Sequence, residues 1–144
     1  AAVLDKHEIQ SRYRGIWDLS PLLPVRESIN RLSLGEGNMP LIKANRLGHA
    51  LGISQLFIKD ESLNPTGSFK ARGLCVAVSR ARELGINNFS IPTAGNAGGA
   101  LAAYSALSGL EAHIAMPADT PQPFIDECRL FNADVSLVNG VITD

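Results

Sequence analysis

Lys70 is the residue of this chain best placed to do covalent chemistry. It stands at the predicted start of a helix, directly after the turn-rich run Asn64-Pro65-Thr66-Gly67-Ser68-Phe69. A helix N-terminus carries partial positive charge, so an ammonium there is disfavoured by about 0.3–1 kcal/mol. The neutral amine is the form that attacks a carbonyl carbon to give a Schiff base. The alternative is that Lys70 is a solvated side chain without a chemical role.

Two neighbours of Lys70 favour the chemical interpretation. Phe69 would supply apolar surroundings, which disfavour a charged amine further. Gly67 lacks a side chain and would allow the backbone to approach a ligand closely. The run therefore predicts a nucleophilic amine beside a ligand.

A second loop, Thr93-Ala94-Gly95-Asn96, precedes another predicted helix. Backbone N–H groups at a helix N-terminus attract anions, and Gly95 would let a carboxylate or phosphate come near. The alternative is an ordinary glycine-rich turn in which Asn96 caps the helix. The following residues do not form G-x-G-x-x-G, so a dinucleotide fingerprint is not supported. An amine beside an anion site suggests chemistry on an amino acid.

Lys59, Asp60 and Glu61 form a charged cluster after a short apolar run. Lys59 could attract a second anion, although a solvated cluster is the simpler interpretation. The run Gly35-Glu36-Gly37-Asn38-Met39-Pro40 is a turn by composition and indicates little by itself.

Composition excludes several classes of function. The chain has 144 residues, with 13 basic and 14 acidic side chains and a net charge of -1. This is the size of one ordinary domain, without the basic excess expected of a nucleic-acid-binding protein. No apolar run approaches the length of a membrane span. Charged residues interrupt the N-terminus, which argues against a signal peptide; they are Asp5, Lys6, His7 and Glu8.

The cysteines and histidines predict a reducing compartment and no metal site. Cys75 and Cys128 are far apart and lie in helical patterns, as buried thiols of a cytoplasmic protein do. The three histidines do not have ligand spacing; they are His7, His49 and His113.

Strands and helices alternate from residue 55 onward. The predicted strands are 55–59, 88–92, 111–116 and 134–138, and the predicted helices are 68–84, 96–108 and a third that Thr120 caps, with Pro121 at its first position, running to about residue 131. A shorter strand, 41–44, and a helix, 45–51, precede them. Such alternation predicts a parallel sheet, whose ligands bind beyond the carboxyl ends of the strands. Residues 60–68 and 93–96 both follow predicted strands, so we expect them at one edge.

The chain resembles the pyridoxal-phosphate enzymes of the tryptophan synthase β-like superfamily, called fold type II. The run from Pro65 to Gly73, Pro-Thr-Gly-Ser-Phe-Lys-Ala-Arg-Gly, is highly specific for that superfamily. Two further runs are similar to the threonine synthase group within it. They are Leu34-Gly35-Glu36-Gly37-Asn38-Met39-Pro40-Leu41 and Tyr13-Arg14-Gly15-Ile16-Trp17.

The resemblance implies roles for the cofactor residues. Lys70 would form the Schiff base with pyridoxal 5'-phosphate and would later act as acid and base on the carbons of the substrate. Asn96 would donate a hydrogen bond to the phenolic oxygen of the cofactor, and Phe69 would adjoin it. The cofactor would serve as an electron sink for carbanions.

The resemblance also implies a substrate. The pocket for its α-carboxylate would be lined by Thr93, Ala94, Gly95 and Ala97. Lys59 and Asn64 lie where threonine synthases bind the phosphate of O-phosphohomoserine, which loses phosphate and gains water to give threonine. The parent enzyme is expected to be a homodimer with a small amino-acid substrate, without nucleic acid or membrane as a partner.

Three residues depart from the threonine synthase pattern. Ala71 replaces a common Asp, and Ala97 and Gly98 replace a common Thr and Ser. The run Ser-Phe-Lys-Ala-Arg-Gly also occurs in threonine and serine dehydratases. A dehydratase-like lyase and a non-catalytic anion-binding module therefore remain alternatives.

The expected fold is α/β, a three-layer αβα arrangement with a parallel sheet. Residues 1–74 would belong to the larger cofactor domain and residues 75–144 to the small domain, which commonly closes over substrate. The chain is expected to be an incomplete and inactive part of the enzyme, because the family's glycine-rich loop for the cofactor phosphate lies beyond residue 144.

Overall fold

The computed structural model describes His7 and residues 13–142. The charged residues Asp5, Lys6 and Glu8, cited above against a signal peptide, lie outside this range. The strands of the described part are β1 (Leu41–Lys43), β2 (Phe57–Lys59), β3 (Asn88–Pro92), β4 (Glu111–Pro117) and β5 (Asp134–Val138). The α-helices are α1 (Asn45–Leu51), α2 (Lys70–Glu83), α3 (Asn96–Ser108) and α4 (Gln122–Leu130). Short 3₁₀ helices span Ile16–Leu22, Ser28–Asn30 and Pro65–Gly67.

The main sheet is parallel, with the strand order β3-β4-β5. Its register pairs Asn88 with Glu111 and His113 with Asp134. Along β4, Ala112, Ile114 and Met116 are buried, while Glu111 and His113 are exposed. Helices α3 and α4 join successive strands, as parallel pairing requires. The predicted α/β fold with a parallel sheet is confirmed.

The buried face of this sheet packs against helices in two adjoining clusters. One cluster joins α3 and α4 to β4 through Ala102, Ile114, Met116, Ile125 and Cys128. The other joins α2 and α3 to the N-terminal segment, which contributes Ile16 and Leu32. Each fully buried aliphatic side chain contributes about 1.5–3 kcal/mol. The N-terminal segment is therefore part of the same core as the helices.

Gly98 allows helix α3 to approach its neighbours closely. A Cβ atom at this position would lie 2.8 Å from Met116 Cε, 2.9 Å from Thr93 Cγ2 and 3.1 Å from Cys128 Sγ. Real Cβ atoms essentially never lie within 3.0 Å of another heavy atom, so the space cannot hold a side chain unless Met116 or Thr93 moves. Gly98 therefore fixes how near the first turn of α3 lies to Thr93.

Strands β1 and β2 form a separate antiparallel ribbon, in which Leu41 pairs with Lys59 and Lys43 with Phe57. The expectation that residues 60–68 and 93–96 follow strands of one parallel sheet is thus wrong. A short apolar run predicts a strand, but it does not specify which partner the strand pairs with. Apolar side chains of both strands are exposed; they are Leu41, Ile42, Phe57 and Ile58.

Two predicted helix starts are also wrong. Ser68 is extended (φ -153°, ψ 163°), and helix α2 begins at Lys70. Pro121, with ψ 132°, occupies the N-cap of α4, so that Thr120 lies one residue too early to cap it. Thr120 Oγ1 is buried and has no hydrogen-bond partner within the described residues.

The described residues contain no helix that is long and apolar enough to cross a membrane. Searched over the same residues, no group of three or more His, Cys, Asp or Glu side chains could hold a metal ion. Cys75 and Cys128 are buried thiols, as predicted, and neither is in a disulfide in the part of the chain described.

Candidate active site

Lys70 is the first residue of α2, and its side chain is half-buried. Its backbone N–H donates to Ser68 Oγ at 3.3 Å. Its Nζ lies 5.0 Å from the centroid of the Phe69 ring, which is 57% exposed. Between residues 13 and 142, no carboxylate pairs with this amine. The amine is thus accessible, although Phe69 covers it less than the sequence suggested.

The turn before Lys70 has an unusual backbone. Thr66 is in the left-handed region (φ 58°, ψ 25°), which is uncommon for a β-branched residue. Gly67 follows with φ 65° and donates its N–H to Asn64 O at 2.9 Å. Thr66 Oγ1 is buried and lacks a hydrogen-bond partner among the residues described. The turn contacts both α2 and α3, so it brings the approach to Lys70 against the second helix.

Thr93 holds the second loop in place. The residue is buried, and its N–H donates to Ala115 O at 2.9 Å, which extends the β3–β4 pairing. Its Oγ1 accepts from the Gly95 N–H at 3.2 Å. Gly95 is the N-cap of α3, so the interpretation of Asn96 as a cap is wrong. Asn96 is the first helical residue, and its side chain is exposed.

Helix α4 supplies two residues that the sequence analysis missed. The Phe124 ring lies 3.5–3.6 Å from the position that a Cβ on Gly95 would occupy. The Glu127 carboxylate lies against Gly99, and burial raises the pKa of this group. The helical spacing of α4 indicates a packed face, but it could not show that this face covers the start of α3.

The charged residues after β2 form an internal network. The Arg72 guanidinium donates to both Glu61 oxygens, at 2.7 and 2.8 Å. This pairing holds the pKa of Glu61 below its usual value and raises that of Arg72. Asn64 Nδ2 donates to Glu61 Oε2 at 2.7 Å and to Glu61 O at 3.0 Å, and its Oδ1 accepts from the Gly37 N–H at 3.2 Å. Both amide protons of Asn64 are therefore engaged within the chain.

Lys59 does not join this network by a direct hydrogen bond. Its Nζ donates to the backbone oxygen of Met39, in the loop before β1. Lys59 and Asn64 are both engaged with the chain itself, so an incoming phosphate would have to displace or share these bonds. Their role in phosphate binding stays a prediction.

Glu36 is a third residue that sequence reasoning missed, since its run was interpreted as a turn and as part of the resemblance, without a role for its carboxylate. It is 1% exposed, and its carboxylate accepts from the Tyr104 hydroxyl, from Cys75 Sγ at 3.0 Å and from the Leu34 N–H at 2.9 Å. Burial alone would raise the pKa of Glu36, but the hydrogen bonds outweigh it and hold the pKa below its usual value.

Residues 32–144 match the family described as pyridoxal-phosphate dependent enzyme. The match includes Lys70, the Thr93 loop and Glu36, and it covers well over half of the chain. The chain belongs to this family. Its fold is that of the fold type II enzymes, and the family depends on pyridoxal phosphate.

Named relatives of this pyridoxal-phosphate enzyme chain include threonine synthases. One from Methanocaldococcus jannaschii is 41% identical over 114 residues, which is 79% of this chain and 28% of the relative. One from Synechocystis is 35% identical over 136 residues, covering 92% of this chain and 36% of the relative. The processed threonine deaminase isoform 2 of Solanum lycopersicum has a TM-score of 0.67 and 27% identity, covering 97% of this chain and 36% of that one. The chain thus spans about a third of the proteins it matches.

The residues present fit the family's cofactor. Lys70 offers a half-buried primary amine without a carboxylate partner in the described part of the chain. The N-terminus of α3 offers backbone donors for an anion, with Asn96 exposed beside them. Thr66 Oγ1, buried and without a partner within residues 13–142, adds a polar atom in the turn before Lys70, which also contacts α3.

Proposed function

We propose that this chain forms part of a pyridoxal-phosphate enzyme of the threonine synthase type, which converts O-phosphohomoserine and water into threonine and phosphate. The observation that carries the proposal is Lys70, an accessible amine at the start of α2, within residues that match the family. Identities of 35–41% with proteins named threonine synthase support the choice of substrate.

Lys70 has two tasks in this proposal. Its amine would hold the cofactor covalently as a Schiff base, and once released it would carry protons to and from the substrate carbons. Pyridoxal phosphate, when bound, supplies an electron sink for carbanions. Asn96 would donate to the phenolic oxygen of the cofactor, from the exposed first residue of α3.

The loop before α3 would bind the α-carboxylate of the substrate. Thr93 Oγ1 orients the Gly95 N–H, and the start of α3 directs further N–H groups outward. Ala94 and Ala97 would complete this pocket. Lys59 and Asn64 would bind the substrate phosphate. That phosphate leaves from Cγ with the electron pair of the C–O bond. Cβ loses a proton and Cγ gains one. The hydroxyl of water adds at Cβ, and the remaining proton of the water passes to the phosphate or to solvent.

The same proposal includes a boundary between the larger cofactor domain, residues 1–74, and the small domain, residues 75–144. Helix α2 runs from Lys70 to Glu83 without a break across this position. Any closure of the small domain would therefore hinge outside α2. A cytoplasmic homodimer completes the proposal: the buried thiols Cys75 and Cys128 support a reducing compartment, and the dimer rests on the resemblance alone.

Covalent labelling of the full-length protein that carries this chain tests the role of Lys70. After borohydride reduction with pyridoxal phosphate, mass spectrometry should find the label on Lys70. Lys70→Arg should abolish both the label and phosphate release from O-phosphohomoserine, because it removes the primary amine but keeps the charge. Lys43→Arg is the matched control and should leave both unchanged. Label on another lysine, or full activity in Lys70→Arg, would refute the assignment.

A second candidate is a threonine or serine dehydratase. The tomato threonine deaminase structure favours it, since its similarity covers 97% of this chain. Ala71, Ala97 and Gly98 also depart from the threonine synthase pattern. Ammonia release from threonine without phosphate release from O-phosphohomoserine would select this candidate. Failure of both assays, together with no covalent label, would favour a non-catalytic anion-binding module.

A further inference from the structure

We infer that Glu36 is a positioning residue that fixes the first turns of helices α2 and α3 relative to each other. The inference rests on the proposed function in so far as these turns carry the cofactor lysine and the carboxylate loop. Glu36 does not touch the reacting atoms, and it acts through the two helices that present them.

The carboxylate of Glu36 has one hydrogen-bonding arm on each helix. Oε1 accepts from Cys75 Sγ at 3.0 Å, on α2, just after the turn that begins with Lys70. Oε2 accepts from the hydroxyl of Tyr104, in the middle of α3, whose first residue is Asn96. A single carboxylate thus holds both helices at the same point.

The backbone around Glu36 extends this connection to other parts of the site. Its carbonyl accepts from the Ile16 N–H at 3.2 Å, and the Gly37 N–H donates to Asn64 Oδ1 at 3.2 Å. Asn64 opens the turn that leads to Lys70. Gly37 has no room for a side chain, since a Cβ would lie 2.7 Å from Ile16 N and 2.9 Å from the Tyr13 hydroxyl. The segment is therefore tightly fixed against the lysine turn as well as the helices.

The free-energy cost of burying the Glu36 carboxylate indicates that Glu36 serves to position the two helices rather than only to stabilise the core. Glu36 is 1% exposed, and within the described residues no cation pairs with its carboxylate. Desolvation of a carboxylate is costly, and an apolar side chain of similar size often gives a more stable core. Hydrogen bonds to a charged acceptor are short and directional, which fixes the positions of both donors.

Glu83 provides a matched control at the other end of the same helix. It is the last residue of α2, and its carboxylate accepts from the N–H groups of Arg26 and Glu27 at 2.9 and 2.6 Å. It therefore also ties the N-terminal segment to α2, but far from Lys70. Loss of this contact should lower stability without altering the two first turns.

Three variants separate the two arms. Glu36→Gln keeps an oxygen for Tyr104 and Leu34 but places an amide donor opposite the Cys75 thiol. The single thiol proton then bonds to its other acceptor, Leu32 O at 3.1 Å, so the variant breaks the arm to α2. Tyr104→Phe removes only the hydroxyl, so it breaks the arm to α3. The double variant breaks both. If Glu36→Gln does not fold, Tyr104→Phe still tests the arm to α3.

Amide hydrogen exchange and pyridoxal-phosphate affinity are measured on the full-length protein. Glu36→Gln should speed exchange at residues 74–77, and Tyr104→Phe should speed it at residues 100–103, because these N–H groups donate to the carbonyls of the two first turns. Each should weaken pyridoxal-phosphate binding by about fivefold or more, the factor that 1 kcal/mol produces. The double variant should weaken binding by less than the product of the two, because the arms share one carboxylate. Glu83→Ala, which removes the oxygen that accepts from Arg26 and Glu27, should leave the affinity within about twofold of wild type.

Uniformly faster exchange, or unchanged affinity in both single variants, would overturn the inference. So would an equal loss of affinity in Glu83→Ala, since that would indicate a general loss of stability. If the wild-type protein forms no Lys70-linked product, the proposed function fails instead. The exchange pattern then still decides whether Glu36 holds the two turns.

Discussion

The substitution Gly98→Ala tests whether close packing around helix α3 outweighs the higher helix propensity of alanine. In a helix interior, Ala is more favourable than Gly by about 0.5–1 kcal/mol. The added Cβ, however, would lie under 3.0 Å from Met116 Cε and Thr93 Cγ2. Overpacking of this kind costs about 1–3 kcal/mol. The two effects leave a net destabilisation of up to about 2.5 kcal/mol.

The same variant should also affect the loop of residues 93–96, which would bind the substrate carboxylate in the proposed function. Thr93 can relieve the contact only by moving, and its Oγ1 accepts the hydrogen bond that orients the Gly95 N–H. We therefore expect weaker binding of an amino-acid ligand together with the lower stability. Urea unfolding midpoints measure the first effect, and ligand titration of the folded protein measures the second.

Two other glycines provide controls for this prediction. A Cβ on Gly73, in α2, would meet nothing within 4 Å, so Gly73→Ala should raise stability by about 0.5–1 kcal/mol. The three atoms nearest to a Cβ on Gly99 all belong to the carboxylate end of Glu127, which can swing away, so Gly99→Ala should be milder than Gly98→Ala. If Gly98→Ala proves as stable as Gly73→Ala, the close-packing argument is wrong.

Three further predictions concern charged groups and thiols. Arg72→Lys should lower the free energy of unfolding by about 1–2 kcal/mol in urea titrations, because Lys cannot donate to both Glu61 oxygens; an unchanged midpoint would contradict this. The folded-state pKa of Glu36 lies below the ordinary glutamate value of about 4.5, so its contribution to stability is fully present above that pH and is lost as the pH falls through the lower folded value. The stability difference between wild type and Glu36→Gln should therefore shrink on acidification below about pH 4.5, and a growing difference would reverse the sign of the argument. Burial raises the pKa of Cys128 to about 11, so a thiol-reactive disulfide should label it slowly at pH 8 in the folded protein and rapidly in urea; fast labelling when folded would refute its burial.

The regular elements near the site could be predicted because local signals mark both of their ends. Helix α3 begins after Gly95 and ends at Gly109, whose φ of 69° suits glycine, and the predicted bounds of 96–108 are confirmed. The parallel sheet followed from alternation of strands and helices. The family and its cofactor followed from the run around Lys70, and the family match confirms both.

Contacts between distant segments could not be predicted in this way. Nothing local to Glu36 shows that its carboxylate lies between Cys75 and Tyr104, since these contacts exist only after α2 and α3 have packed. The Phe124 ring reaches Gly95 for the same reason. Thr120 shows that a local signal can also mislead. Its side chain is suited to capping a helix, but Pro121 has an extended backbone and α4 begins one residue later than predicted.

The β1–β2 ribbon has a consequence for how the protein avoids aggregation. A ribbon of two strands is marginally stable in water, and exposed apolar strands are templates for pairing with other chains. Here Lys43 and Lys59 each end a strand, and the register places them opposite Phe57 and Leu41. A lysine at both ends of the ribbon makes the addition of a third, identical strand unfavourable, because like charges would stack. The charge of Lys59 therefore disfavours edge-to-edge pairing of this ribbon, and this effect is independent of any proposed role in phosphate binding.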